Sequence, residues 1–309
     1  MFRESGGNVA NGSSDVFQAH PVDRAMRAVA RPPAIYELNG EYIAPTTSVG
    51  QREWTIRAQN FAISIAWLAA GQVLRQKPIT DEHAILAIGD MAFDVSAGGE
   101  SSAVVDEPSF VVVPAGSSII KARAGGFVMR VFSARAASVV DRATNSDRYS
   151  APDPRVAALP EVATGGPGTL RVHPLSAVPS DPARFGRIFR TDSLLINWFA
   201  AESGPRDTAA LTPHEHDDFE QASVTLAGEY VHHLRSPWTA NLDEWRPDEH
   251  VQVTSPSITI IPPGILHTTR AVSRGSNELI DVFAPPRADF IARGWVLNQS
   301  DYDDNRKDS

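Results

Sequence analysis

The chain has 309 residues, 42% of them hydrophobic and 21% charged, and a formal net charge of −9. That length suits two domains of about 100–150 residues each. The acidity argues against nucleic acid as a partner, which would need a basic face. The complete absence of cysteine excludes disulfides, thiolate ligands and cysteine nucleophiles.

Residues 1–50 read as an N-terminal arm. Residues 1–20 are polar and rich in Gly, Ser and Asn, without the charged-then-apolar layout of a signal peptide, so a cytoplasmic protein is expected. VDRAMRAVA at 22–30 suggests a short helical turn, stopped by Arg31-Pro32-Pro33. No apolar run approaches the roughly eighteen residues of a membrane span, so no membrane partner is expected.

From Trp54 onward short β-type runs dominate: FAISIAWLAA, AILAIGDMAFDV, SFVVVPAG and GFVMRVFSA, bounded by Gly, Pro, Ser and Asp. They make 51–140 one β domain. Residues 141–188, with clustered Pro and Gly, read as a linker and entry segment. The β pattern resumes over 189–297 with LLINWFAA, QASVTLAGEYVHHL, VQVTSPSITIIPPG and NELIDVFAPP. Residues 298–309 are a polar, acidic tail, expected to fray.

The chemistry sits in the second β domain. His214 and His216 stand at i and i+2, so on an extended strand both imidazoles point to one side. Gln221 follows, then Gly228, and after a Pro262-Pro263-Gly264 turn comes His267. Three convergent imidazoles and one oxygen donor make a reasonable shell for a single divalent transition metal: Fe, Mn, Ni, Cu, Co or Zn.

The pattern H-x-H-x4-Q-x6-G followed by P-x-G-x-x-H resembles the two motifs of the cupin superfamily. That resemblance implies an all-β fold of jelly-roll barrels with one metal held inside. It places the family's histidine ligands on His214, His216 and His267, and its carboxylate ligand on Gln221, with Glu220 as the alternative. The family usually has Glu where Gln221 stands, and the leading glycine and closing asparagine of its second motif are missing here.

The two halves also repeat each other. Gly89-Asp90 matches Gly228-Glu229, and Pro114-Ala115-Gly116 matches Pro262-Pro263-Gly264, so the expected architecture is two tandem cupin-type jelly-roll barrels. The second match is offset further than the first, which places extra residues in the loop SPWTANLDEWRPDEH. Carrying the ligand positions back by these offsets gives Arg75, Lys77, Glu82 and Ile119. Arginine and isoleucine offer no lone pair to a cation, so the N-terminal barrel is expected to be a degenerate, metal-free copy.

Substrate-pocket candidates are Trp198, Tyr230, His232 and His233, with Asp218 a candidate general base. Trp238, Trp245 and Arg246 lie in the inserted loop, which suits either a cover over the barrel mouth or a dimer interface. The N-terminal arm is expected to complete a sheet edge, in this chain or in a partner, and a homodimer is expected. The resemblance implies a metal-dependent enzyme acting on a small molecule. The first reading is an oxygenase of dioxygenase type with an oxygen-bearing organic substrate. The alternatives are an isomerase or lyase acting on a sugar or uronate derivative, and a non-catalytic binding protein.

Overall fold

The computed structural model describes residues 30–38, 52–99, 101–161, 168–178, 181, 184 and 186–303. The polar stretch 1–20 and all but Ala30 of the expected helical turn lie outside them. Among the described residues twenty strands carry the fold. The first eleven are β1 (Ala34–Glu37), β2 (Arg52–Arg57), β3 (Phe61–Leu68), β4 (Val73–Ile79), β5 (His83–Ala87), β6 (Phe93–Ala97), β7 (Ser101–Val105), β8 (Ser109–Val113), β9 (Gly116–Ala122), β10 (Gly126–Ser133) and β11 (Arg171–Pro174). The rest are β12 (Arg187–Arg190), β13 (Leu195–Trp198), β14 (Glu202–Ser203), β15 (Gln221–Ala227), β16 (Glu229–Arg235), β17 (Glu249–Thr254), β18 (Ser257–Ile261), β19 (Leu266–Ala271) and β20 (Ser276–Phe283).

The chain is nearly all β, with antiparallel strand pairing throughout the named sheets. Each half forms a jelly roll of one large and one small sheet facing each other. The large sheets run β11-β8-β5-β10-β3-β2 and β1-β18-β15-β20-β13-β12, the same order in both halves, with the short β14 beside β20. The small sheets are β4-β9-β6-β7 and β17-β16-β19. Among the described residues each unit is a pair of sheets rather than one closed hydrogen-bonded barrel.

The halves exchange edge strands. β1, from the N-terminal arm, pairs with β18 of the C-terminal unit, while β11, from the linker, pairs with β8 of the N-terminal unit. Each covers an edge that would otherwise present unpaired backbone groups. The arm therefore completes a sheet edge within this chain.

Period-two alternation decides what each large sheet shows to either side. On β15, Ala222 and Val224 face one way and Gln221, Ser223 and Thr225 the other. The first set, with Ile258, Ile260, Ile280 and Val282, packs against Ile63, Ile65, Leu86, Phe110 and Val112 of the N-terminal unit in one shared core. The two large sheets are thus packed face to face, and both their faces are buried. Trp198 belongs to this core and its indole N–H donates to Glu278 at 2.8 Å. It is therefore not a substrate-pocket residue: its neighbour Asn197 has the parity that points into the C-terminal unit.

A matched pair of clasps joins the units. Glu220 accepts from the Gln59 backbone N–H and from the Tyr149 hydroxyl at 3.2 Å. Glu82 accepts in the same way from the Asp192 backbone N–H at 3.3 Å and the Tyr302 hydroxyl at 2.9 Å. Arg31 lies 4.8 Å over the Tyr149 ring, and Arg171 lies 4.8 Å over Tyr302. Contrary to expectation, the start of the tail is ordered: residues Ser300–Asp303 form a helical turn that buries Tyr302 against Glu82. No helix of the described residues is long and apolar enough to cross a membrane.

Candidate metal centre

The H-x-H segment is not part of a continuous strand, and motif two holds it in place. His214 and His267 exchange backbone hydrogen bonds of 3.0 and 2.8 Å, and the Gly264 N–H donates to the His216 carbonyl at 2.7 Å. Gly264 has φ +78°, a conformation that lets the turn after Pro263 reverse towards β19. Gly228, between β15 and β16, has φ +81°, and a Cβ there would fall 2.4 Å from Asn277 Oδ1, so both motif glycines are structurally required.

This scaffold brings three imidazoles together. Their ring centroids are 4.4 Å apart for His214–His267, 5.0 Å for His214–His216 and 5.2 Å for His216–His267. One ligand nitrogen from each falls within 4.8 Å of the others. The His214 Nδ1–H donates to the Thr212 carbonyl at 2.9 Å and the His267 Nδ1–H to the Ile265 carbonyl at 2.8 Å. Both bonds fix the tautomer, leaving a lone pair on each Nε2, as ligating histidines require. The His267 Nε2 is buried without a hydrogen-bond partner. An orphaned, lone-pair-bearing nitrogen of this kind is a costly arrangement unless something occupies the site.

Gln221 points into the same cluster. The His216 Nε2 lies 2.9 Å from Gln221 Oε1, while the Gln221 amide donates to Ser223 Oγ at 2.9 Å. Ser223 donates in turn to Asp281 at 2.6 Å. The chain Asp281–Ser223–Gln221 therefore turns the amide oxygen towards the imidazoles. Glu220 has the opposite parity and is spent in the clasp with Gln59 and Tyr149. The donor set present fits a divalent transition metal: three neutral nitrogens and one amide oxygen.

Burial tunes these groups. It drives the imidazole of His216 down to about 3 and that of His267 down to about 4, so both are neutral donors at physiological pH. Burial pushes the Asp281 carboxyl up to about 7, against the pull of Ser223, Arg287 and Gln221.

A cavity of about 520 Å³ opens beside the cluster, lined by His214, His267, Gln221, Asp281, Asn197 and Tyr230 among others. Phe199, Leu279, Phe283 and Phe290 make its apolar wall, and Arg184, Arg206 and Arg287 add cationic groups. Of the pocket candidates read from the sequence, Tyr230 lines it. His232 is buried nearby, sharing a 3.0 Å hydrogen bond with Thr269 Oγ1. His233 has the opposite parity and meets His250 at 2.8 Å on the far face of β16. Asp218 and the inserted loop are not among the lining residues. Trp238 and Trp245 stack on each other at 4.4 Å, and Arg246 donates to the Ala30 carbonyl.

Asp281, Arg206 and Arg287 were not anticipated. A lone Asp inside the apolar run NELIDVFAPP is a usable signal for a buried polar group with a task, whereas nothing local marks Arg206.

The register between the halves needs correction. His214 lies opposite His267 as Leu74 lies opposite Ile120, and Gln221 pairs with Ile261 and Phe283 as His83 pairs with Val113 and Phe132. The N-terminal counterpart of Gln221 is thus His83, not Glu82, and the inward-facing residues of β4 and β9 near the histidine positions are Leu74, Gln76 and Ile120 rather than Arg75, Lys77 and Ile119. The β15 strand carries a bulge between Thr225 and Ala227, one extra residue before the shared glycine, and that shifts the count. Arg75 and Lys77 are exposed on the outer face, and Glu82 is in its clasp.

No protein-family model and no curated protein matches this sequence. Solved structures do resemble it. AerE from Microcystis aeruginosa has a TM-score of 0.51 at 8% identity, covering 78% of this chain and 96% of that one. An oxalate decarboxylase of Bacillus subtilis gives 0.48 at 13% identity, covering 84% of this chain and 78% of that one. An IolB-like protein of Salmonella typhimurium LT2 gives 0.48 at 12%, covering 79% and 92%. At these identities the likeness is one of fold.

Proposed function

We propose that the C-terminal jelly roll is the active half of a metal-dependent cupin enzyme acting on a small oxygen-bearing organic molecule. The observation that carries this reading is the convergence of His214, His216 and His267 with ligand atoms within 4.8 Å, beside a cavity large enough for a small-molecule substrate. One divalent transition metal would be held by these histidines and Gln221. When bound, it supplies a Lewis acid whose charge a neutral shell leaves largely undiminished.

The chain's own groups then have definite tasks. The carbonyls of Thr212 and Ile265 hold the imidazoles of His214 and His267 in their ligating tautomers. Phe199, Leu279, Phe283 and Phe290 exclude water from one side of the cavity, and Tyr230 offers a hydroxyl to bound substrate. The first reading of the chemistry is a dioxygenase-type oxygenase, supported by the neutral donor set and the apolar wall. Asp281 favours a second reading, an isomerase or lyase. A carboxyl held near neutrality on the cavity wall is poised to move a proton at its Oδ atoms.

Metal identity in protein from its native host, with O2 uptake measured on phenolic, diketone and keto-sugar substrates, tests the proposal. Native iron or copper with substrate-dependent O2 uptake supports the oxygenase. Turnover of a keto-sugar or uronate without O2 replaces it with the isomerase or lyase. Protein that holds no metal and turns over nothing overturns both.

A further inference from the structure

We infer that the substrate is a small organic carboxylate, and that Arg206 is the residue that recognises it. The inference rests on the C-terminal cavity being the substrate site, and it adds the charge class of what enters. Arg206 lines that cavity together with His214, Thr212 and Tyr230. Its guanidinium is positioned by neutral acceptors alone: the Thr269 carbonyl at 3.1 Å, the Ala210 carbonyl at 3.1 Å and Thr212 Oγ1 at 3.2 Å. Its own backbone N–H is tied to the Ala271 carbonyl at 3.0 Å, so the residue is anchored at both ends.

Among the described residues Arg206 forms no ion pair. A half-buried guanidinium that is fixed in place yet left uncompensated keeps its full charge for an incoming anion. Arg287, on the same cavity, differs. It is paired with Asp289 at 2.8 Å and lies 3.8 Å over the Phe290 ring, so its charge is already answered.

The balance of charge selects the anion. Arg184, Arg206 and Arg287 line the cavity against Glu202 and Asp281, an excess of cationic groups that suits an organic anion. The placement also orients the ligand. Thr212 is bonded to both Arg206 and His214: its hydroxyl accepts from the guanidinium and its carbonyl from the imidazole. A carboxylate seated on Arg206 therefore has the rest of its molecule directed along the wall that carries His214.

The test compares acids with their neutral amides: benzoate against benzamide, glycolate against glycolamide, pyruvate against pyruvamide. Binding to the full chain is followed by ligand-observed NMR, with and without chelation of metal. Wild-type protein should prefer the acid of each pair that binds, by about tenfold, the scale of one charge-assisted hydrogen bond. Arg206→Gln should erase the preference and Arg206→Lys should retain part of it. The Arg206-dependent preference should survive chelation, which separates this inference from the metal assignment. Equal binding of acid and amide by the wild type overturns it without any variant. So does a preference unchanged in folded Arg206→Gln, or the absence of acid binding altogether.

Discussion

The two jelly rolls share strand order and edge-strand exchange but differ in what they enclose. Inside the N-terminal unit, Leu74, Ile85, Val95, Val111, Ile120 and Val128 fill the space between the sheets. At the same strand positions the C-terminal unit has His214, Ser223, Leu234, Thr259, His267 and Leu279. The contrast is sharpest on the last strand of each unit. Arg130 on β10 and Asp281 on β20 both lie between a strand-five-type and a strand-three-type neighbour: Ile85 and Ser64 for Arg130, Ser223 and Asn197 for Asp281. Arg130 supplies the N-terminal unit with a built-in cation, bonded to Glu53 at 2.5 Å and to Gln76 at 3.3 Å. The C-terminal unit has a carboxyl there, a set of neutral donors, and room. One copy of the fold spends its interior on packing, and the other keeps its interior polar and open at the cost of orphaned polar atoms.

The largest effect should come from emptying the donor set. His216→Ala should reduce metal content from one per chain to near zero, whereas Glu220→Gln, whose side chain faces the clasp, should keep its metal. Elemental analysis of both proteins decides the matter, and full metal in His216→Ala would break the comparison between the units.

Next in size is the N-terminal ion pair. Arg130→Met leaves the part-buried Glu53 with the more exposed Arg142, at 3.2 Å, as its ion-pair partner beside the Ser64 hydroxyl. The expected loss is about 3 kcal/mol in denaturant unfolding. Metal content should not change, because no donor of the C-terminal unit touches this pair.

The clasp gives a pH-dependent test. Burial raises Glu82 from 4.5 to about 7, outweighing the opposing pull of Arg171. A carboxyl with a raised folded pKa contributes stability that is full below its unfolded value and is lost as pH rises through the folded one. Stability should therefore fall between about pH 4.5 and 7, by on the order of 2 kcal/mol from this group. Glu82→Gln should flatten that slope, and an unchanged slope in the variant would show that the clasp does not titrate as described.

Much of this contrast was legible in the sequence. The β-rich runs marked the strands, and His214, His216 and His267 could be grouped because their spacing around a Pro-Gly turn carries the motif resemblance. The repeat was visible through Gly89 and Gly228. Its register was not, because the bulge at Thr225–Ala227 adds a residue to one unit and leaves no compositional trace. That single residue exchanged His83 for Glu82. Trp198 was misread for a related reason: aromatic character does not reveal parity on a strand whose two faces are both buried. Tyr302 looked like part of a polar tail since its partner Glu82 lies at the other end of the chain, and Arg206 became meaningful only once its neighbours were known.

The smallest effect should be at the inserted loop. Trp238 is 74% exposed and is not among the residues lining the cavity. Trp238→Ser should shift stability by no more than about 0.5 kcal/mol and leave metal content intact. A large loss of either would tie the loop to the site.

The difference between the units is tested most directly by anomalous X-ray diffraction from crystals of natively loaded protein, collected at the absorption edge of the metal identified. The account predicts one strong peak per chain, surrounded by His214, His216, His267 and Gln221, and none between the sheets of the N-terminal unit. A peak beside His83 and Gln76, or loaded protein whose metal lies away from the three histidines, would contradict it.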